Sequence, residues 1–248
     1  MRFSITHEFK YTYDSPVRLS TQYLRLTPRD TARQKVSGWN LETPGPALRT
    51  TDGYGNVLHV LTMDKTVSEI SIEAAGTVET SPALDEPSDF TGAPLSPLLF
   101  LRPTGLTRVD EPLGAFAAKY RRAIPEHSGL RELAAAIHDK HRDGSAADAV
   151  HAFIACCRHL GVPARYVSGY VYAKKEQNNG VAMHAWAEAW VVERWRSFDI
   201  AHDCAVGEAH IKLAVGADYL DACPVRGVRI GGGAETLLAN AHVEATQQ

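Results

Sequence analysis

The chain opens on an alternation. Phe3, Ile5, His7, Phe9, Tyr11 and Tyr13 are separated by more polar residues, the period-two pattern of a strand with one buried face. Ser15-Pro16 predicts the end of that strand, Tyr23 to Leu26 resumes the pattern, and Pro28 stops it. The D-G-Y-G-N segment at 52–56 predicts a turn, with Gly55 and Asn56 able to take positive φ. Val57 to Met63 and Val67 to Val78 predict two more strands. Residues 1–80 therefore read as an N-terminal antiparallel β domain, sandwich-like in its strand content.

Residues 81–112 hold six prolines and no sustained period, which predicts a crossing between domains. Within it, S-P-L-L-F-L-R-P-T is apolar enough to pack against something. Residues 112–123 and 129–142 predict two helices, the second with Ser128 as N-cap and Leu130, Leu133, Ala134, Ile137 and His141 at helical spacing. The clearest helix comes next. Ala146, Val150, Phe153, Ile154, Cys157 and Leu160 fall on one face. Ser145 is its cap, with Asp148 three residues on, and Gly161 and Pro163 end it. Three strands follow, A-R-Y-V-S-G-Y, A-M-H-A-W-A-E-A-W and E-R-W-R-S-F-D-I-A. The second and third each carry a polar residue inside an apolar run, His184 and Asp199. K-K-E-Q-N-N-G at 174–180 predicts a hairpin tip, and Gly231 to Gly233 lead into a last edge strand, roughly Glu235 to Glu244.

Composition changes this picture little. Hydrophobic content is 44% and charged content 22%, ordinary for a globular protein. A net charge of −3 gives no electrostatic case for nucleic acid or an anionic membrane surface. Residues 1–9 alternate rather than forming an apolar signal, and no apolar run is long enough to span a bilayer. The four cysteines, 156, 157, 204 and 223, read as reduced thiols of a cytoplasmic protein. His202, Cys204 and His210 match no familiar metal-site spacing, so no metal and no cofactor is expected.

The strand motifs A-R-Y-V-S-G-Y, H-A-W-A-E and W-R-S-F-D-I-A, with H-E-F-K-Y-T-Y-D-S-P-V near the start and H-I-K-L-A-V-G-A-D-Y-L near the end, together resemble the bacterial transglutaminase-like family, whose fold is shared with papain-like thiol enzymes. The resemblance covers almost the whole chain. It implies an α+β architecture: the N-terminal β domain (1–80), the Pro-rich crossing (81–112), and a transglutaminase-like domain (113–248) with a core helix packed on an antiparallel sheet. It also implies roles. In the family pattern G-x-C-x-D-x-x-H a cysteine opens the core helix; Gly144, Asp148 and His151 fit in register, and Ala146 stands at the cysteine position. His184 matches the family's base and Asp199 the carboxylate that orients it.

Two departures matter. A thiol at position 146 would be activated by the helix N-terminus, and a methyl group is not. In addition, the family usually carries a sizeable segment before the cysteine helix, whereas here I-H-D-K-H-R-D runs almost directly into G-S-A-A-D. Either that segment was lost together with the nucleophile, or a deletion was accompanied by substitutions. Cys157 is about 16 Å along the helix axis from position 146, too far to substitute, and Cys156 is no nearer. Ser145 is used as the cap. Asp148 and His151 read as supporting residues rather than catalytic ones. Arg165 reads as a structural ion-pairing residue, and Trp186 and Tyr170 as residues of the substrate cleft. The resulting expectation is a protein of the thiol acyl-transfer or amide-hydrolysis class, acting on a peptide or protein amide and inactive or weakly active as written. The alternatives are a binding module that keeps the cleft for a peptide or protein, and an artefact, a deletion or cysteine replacement arising in a clone or in the assignment of the gene of an otherwise active enzyme.

Overall fold

The computed structural model describes residues 1–82, 95–124, 126–141, 144–173 and 180–246. The predicted hairpin tip at 174–180 falls, except for its last residue, outside the described residues. The strands are β1 (Arg2–Leu24), β2 (Gln34–Glu42), β3 (Ala47–Thr51), β4 (Val57–Met63), β5 (Val67–Thr80), β6 (Ala164–Ala173), β7 (Gly180–Val191), β8 (Arg194–Asp199), β9 (Cys204–Ala205), β10 (His210–Gly216), β11 (Val225–Gly231) and β12 (Glu235–Thr246). The α-helices are α1 (Glu111–Ala118), α2 (His127–Lys140), α3 (Ala146–His159) and α4 (Tyr219–Ala222). The architecture is α+β, mostly antiparallel, as expected.

Two sheets carry the molecule. The first has seven strands in the order β2-β5-β1-β4-β3, with β11 and β12 also paired to β1. The predicted break at Ser15-Pro16 is instead a bend within β1. Its first half pairs with β5 and β12, and its second half, from Val17, pairs with β11 and then with β4 from Ser20. Pro16 has no N–H to donate, so it falls where the strand changes partners. Asp14 and Ser15 still donate to the carbonyls of Ala234 and Gly232. The last two strands, grouped by their sequence position with the second domain, are thus hydrogen-bonded into the sheet of the first. The turn at 52–56 forms as predicted around Gly55 at φ +82°; Asn56 does not need positive φ and spends its amide on the β10 backbone at Val215.

The second sheet has the order β10-β6-β7-β8-β9 and is antiparallel throughout. Helix α3 packs on it through Val150, Phe153, Ile154 and Cys157, all fully buried. Each such side chain contributes about 1.5–3 kcal/mol by leaving water. The helix starts where predicted: Ser145 Oγ accepts the Asp148 N–H at 3.2 Å and donates to its carboxylate at 2.7 Å. It ends with Gly161 at φ +84° and bonds from Gly161 N–H to Arg158 O and from Val162 N–H to Cys157 O, the paired Schellman pattern that favours glycine. The Arg158 guanidinium then ties this end to the carbonyls of Phe100, Ala164 and Ala217. Phe100, from the apolar stretch in the Pro-rich crossing, is buried as that stretch predicts. Helix α2 begins one residue before Ser128, and its N-cap Glu126 makes no side-chain cap bond, so Ser128 is not the cap.

The sheets share a core. Tyr170, Ile211 and Leu213 of the second sheet lie in one apolar cluster with Phe3, Ile5, Phe9, Leu61 and Ile72 of the first. None of the helices among the described residues is long and apolar enough to cross a membrane.

Candidate functional site

Asp199 is the last residue of β8 and its side chain is fully buried. His184 on β7 places Nε2 at 2.8 Å from Asp199 Oδ2, so the imidazole–carboxylate couple read from the sequence is formed. Two further imidazoles reach the same oxygen, His202 Nδ1 at 2.9 Å and His210 Nε2 at 2.9 Å. Cys204 Sγ lies 3.8 Å from it. The other oxygen, Oδ1, accepts the His202 backbone N–H at 3.1 Å. Burial alone would push this carboxyl up. The hydrogen bonds from His184 and His210, the His184 charge interaction and the His202 bond outweigh that and hold it far below the ordinary carboxylate range. The rings of His184 and His202 stack at 4.4 Å, and Trp186 meets His210 edge-on at 5.5 Å.

Strand alternation decides what each residue faces. On β7, Ala185, Ala187 and Ala189 pack with α3. His184, Trp186 and Glu188 alternate to the other face, where Glu188 meets Arg165 at 2.7 Å and Lys212 at 2.5 Å, and Trp186 packs with Val167, Val206 and Val215. Gly169 lies opposite His184; a side chain there would collide with the Trp186 ring and the Ile211 carbonyl. Arg165 is wholly buried and paired, the structural role its position predicts.

Ala146, at the tip of α3, and His184 both border one cavity of about 290 Å³. Its wall is completed by Tyr166, Ser168 and Met183 of the second sheet, and by Phe9, Tyr11 and Leu237 of the first. The expected cleft residues Trp186 and Tyr170 do not line it. Both are fully buried: Trp186, on the same face as His184, is enclosed by Val167, Val206 and Val215, and the Tyr170 hydroxyl turns to His7 Nδ1 at 3.1 Å in the shared core. His151 Nε2 accepts the Tyr219 N–H at 3.2 Å and fastens α4, a supporting role. Cys156 and Cys157 are buried, which pushes the Cys156 thiol up to about 12 and Cys157 well above the thiol range; neither is a nucleophile.

Two features were not read from the sequence. Cys223 also borders the cavity, its thiol donating to the Val225 carbonyl at 3.0 Å. And His202, Cys204 and His210, whose spacing suggested nothing, gather around Asp199. The turn after β8 carries the first two back and β10 supplies the third, so only the fold brings them together.

The family description for the bacterial transglutaminase-like N-terminal region matches residues 3–79, and that for the transglutaminase-like superfamily matches residues 116–200, which contain α3, His184 and Asp199. Over these two stretches the chain is similar to the transglutaminase-like superfamily. An uncharacterized protein of Mycobacterium leprae is 29% identical over 271 aligned residues, covering 95% of this chain and 96% of that protein. An uncharacterized protein of Mycobacterium tuberculosis is 29% identical, covering 92% of this chain and 87% of the relative. Both alignments are longer than the 248 residues of this transglutaminase-like chain, so they include positions at which it has no residue. The crystal structure of a presumed cysteine protease from Cytophaga hutchinsonii superposes with a TM-score of 0.73 at 23% identity, over 98% of this chain and 89% of that one. The fold is therefore that of the transglutaminase-like and papain-like thiol enzymes.

Proposed function

We propose that this chain is a transglutaminase-like protein of the thiol acyl-transfer and amide-hydrolysis class that lacks its nucleophile. In the class, a thiolate attacks an amide carbonyl, the imidazole protonates the departing amine, and water or a second amine resolves the thioester. The observation that carries the reading is that His184, paired with Asp199 at 2.8 Å, borders the same cavity as Ala146. The alignment positions absent from this chain support loss of a segment. Without a nucleophile only binding and oxyanion stabilisation remain, about 10³–10⁴ over water in the best-measured hydrolase.

The test is Ala146→Cys, assayed for hydrolysis of glutamine-containing peptides and for amine incorporation. Turnover is expected to appear and to vanish in the Ala146→Cys/His184→Ala double variant. Folded Ala146→Cys protein without any turnover would count against a simple lost-thiol account.

A second reading has its own observation. The cavity is walled by apolar side chains from both sheets, Phe9, Tyr11, Met183 and Leu237 among them, which suits a retained peptide- or protein-binding function in the cytoplasm. Calorimetry with glutamine-containing peptides tests it: binding weakened by Leu237→Asp supports it, and absence of binding removes it.

A further inference from the structure

The arrangement around Asp199 asks more of one oxygen than a carboxylate supplies. An ionised carboxylate has about four lone-pair sites, about two on each oxygen. Oδ2 faces three imidazole nitrogens at 2.8–2.9 Å and a thiol at 3.8 Å, while Oδ1 faces one backbone N–H. One of the three imidazoles is fixed as a donor. His210 Nδ1 accepts the Gly207 N–H at 3.2 Å, so its proton sits on Nε2 and points at Asp199. Among the described residues no such bond fixes the other two, and His202 is half-exposed. His184 Nε2, His202 Nδ1 and Asp199 Oδ2 are thus free to present three lone pairs to one point, and all lie within 4.8 Å of one another, whereas Cys204 Sγ, 3.8 Å from Oδ2, groups with Asp199 and His210.

We propose that His184 Nε2, His202 Nδ1 and Asp199 Oδ2 bind a first-row transition-metal ion of the zinc class, with Cys204 Sγ turning in from its place beside Oδ2 as fourth donor. Two imidazoles, a carboxylate and a thiolate make a borderline-soft donor set that favours zinc over calcium or magnesium. The carboxylate and thiolate together neutralise a divalent ion. Ligand bonds of about 2.0–2.1 Å at tetrahedral angles separate nitrogen from oxygen by about 3.3 Å, so the nitrogens need to withdraw from Oδ2 by only about 0.4–0.5 Å. Three of the four donors come from a single turn, Asp199 to Cys204. His202 and Cys204 are its open side, which gives the ion a path in. His210 then holds the ligating carboxylate by hydrogen bonding, as partners of metal ligands commonly do. The site occupies the nitrogen through which His184 meets Asp199, so metal binding and service as a thiol-enzyme base exclude each other. A chain with a methyl group at the nucleophile position gives nothing up by binding metal there.

The inference rests on the Asp199 cluster and not on the reading of the cavity, and its test uses neither peptide nor a restored thiol. The full chain, stripped with chelator, is titrated with zinc by calorimetry. One equivalent is expected to bind. His202→Ala, half-exposed and so tolerable to the fold, is expected to weaken binding by about 100-fold or more, and His210→Gln by about 10–100-fold. Circular dichroism checks that each variant is folded. With cobalt in place of zinc, the intense visible absorption of a four-coordinate site is expected, plus a thiolate charge-transfer band that Cys204→Ser removes. No uptake, or uptake unchanged by His202→Ala, overturns the site. Uptake that needs His202 but shows no thiolate band overturns Cys204 as the fourth donor.

Discussion

The two faces of the five-stranded sheet are built on opposite principles. The face under α3 is made of small and apolar residues, Ala185, Ala187, Ala189, Tyr166 and Phe198, and is held by packing. The other face of the same strands carries His184, Glu188, Arg165, Asp199, His210 and Lys212, nearly all buried and held by charge. The strand period assigns each residue to a face. The first face needs only volume and apolarity. The second needs every charge to keep its partner, because an unpaired buried charge is far more costly than a lost methylene. That is why the charged residues of these strands lie on the face away from α3, with His184 alone among them also bordering the cavity at the tip of that helix.

The largest predicted effects compare the two faces directly. Glu188→Gln leaves Arg165 and Lys212 facing a neutral amide and is expected to cost about 3–5 kcal/mol. Phe153→Ala in the helix face is expected to cost about 3–5 kcal/mol through the cavity it leaves. Denaturant titration will give similar losses, but rescue will differ. Replacing Arg165, Glu188 and Lys212 together by Met, Leu and Met should restore most of the stability, since the triad's net contribution is small once desolvation is counted. If the triple variant stays as unstable as Glu188→Gln, the charged face is contributing more than this comparison allows.

A medium effect separates the faces by pH. His7 is buried between the sheets against Tyr170, and burial lowers it from its ordinary value of 6.5 to about 4. Its folded-state value is depressed, so the unfolded chain binds the extra proton first. The stabilisation is present above about 6.5 and is lost as pH falls toward 4. Two and a half pKa units correspond to about 3 kcal/mol. Asp199 is depressed too, so its contribution is complete above the ordinary carboxylate value and is lost only as pH falls below that. Stability measured in urea at pH 7 and pH 4.5 should therefore fall in the wild type and fall distinctly less in His7→Gln. Equal slopes would remove His7 as the cause.

Some of this was legible in the sequence and some was not. Helix α3 was readable because apolar period, Ser145 cap and Gly161 stop all agree. His184 and Asp199 stood out as polar residues in apolar strands. Strands β2 and β3 were missed because their side chains are mostly exposed and carry little alternation. The pairing of β11 and β12 with β1 was missed because partners more than 200 residues apart leave no local mark. Trp186 was misplaced in the cleft because an H-A-W motif says that His184 and Trp186 share a face, not how deeply each is enclosed on it.

The smallest predicted effect lies at the helix tip. Ser145→Ala removes the N-cap and should cost about 1 kcal/mol, with the five-stranded sheet unchanged by amide exchange. A larger loss, or loosening of the sheet, would mean that the tip of α3 is more tightly built into the cavity than its cap bonds imply.

The most direct test of the account asks whether position 146 stands within reach of His184. Ala146→Cys is labelled with iodoacetamide in chelator across pH, and the rate is read at residue 146 by mass spectrometry. The account predicts an apparent thiol pKa well below the ordinary value of about 8.5, raised toward it when His184→Ala is added. An ordinary profile that His184→Ala leaves unchanged would contradict it.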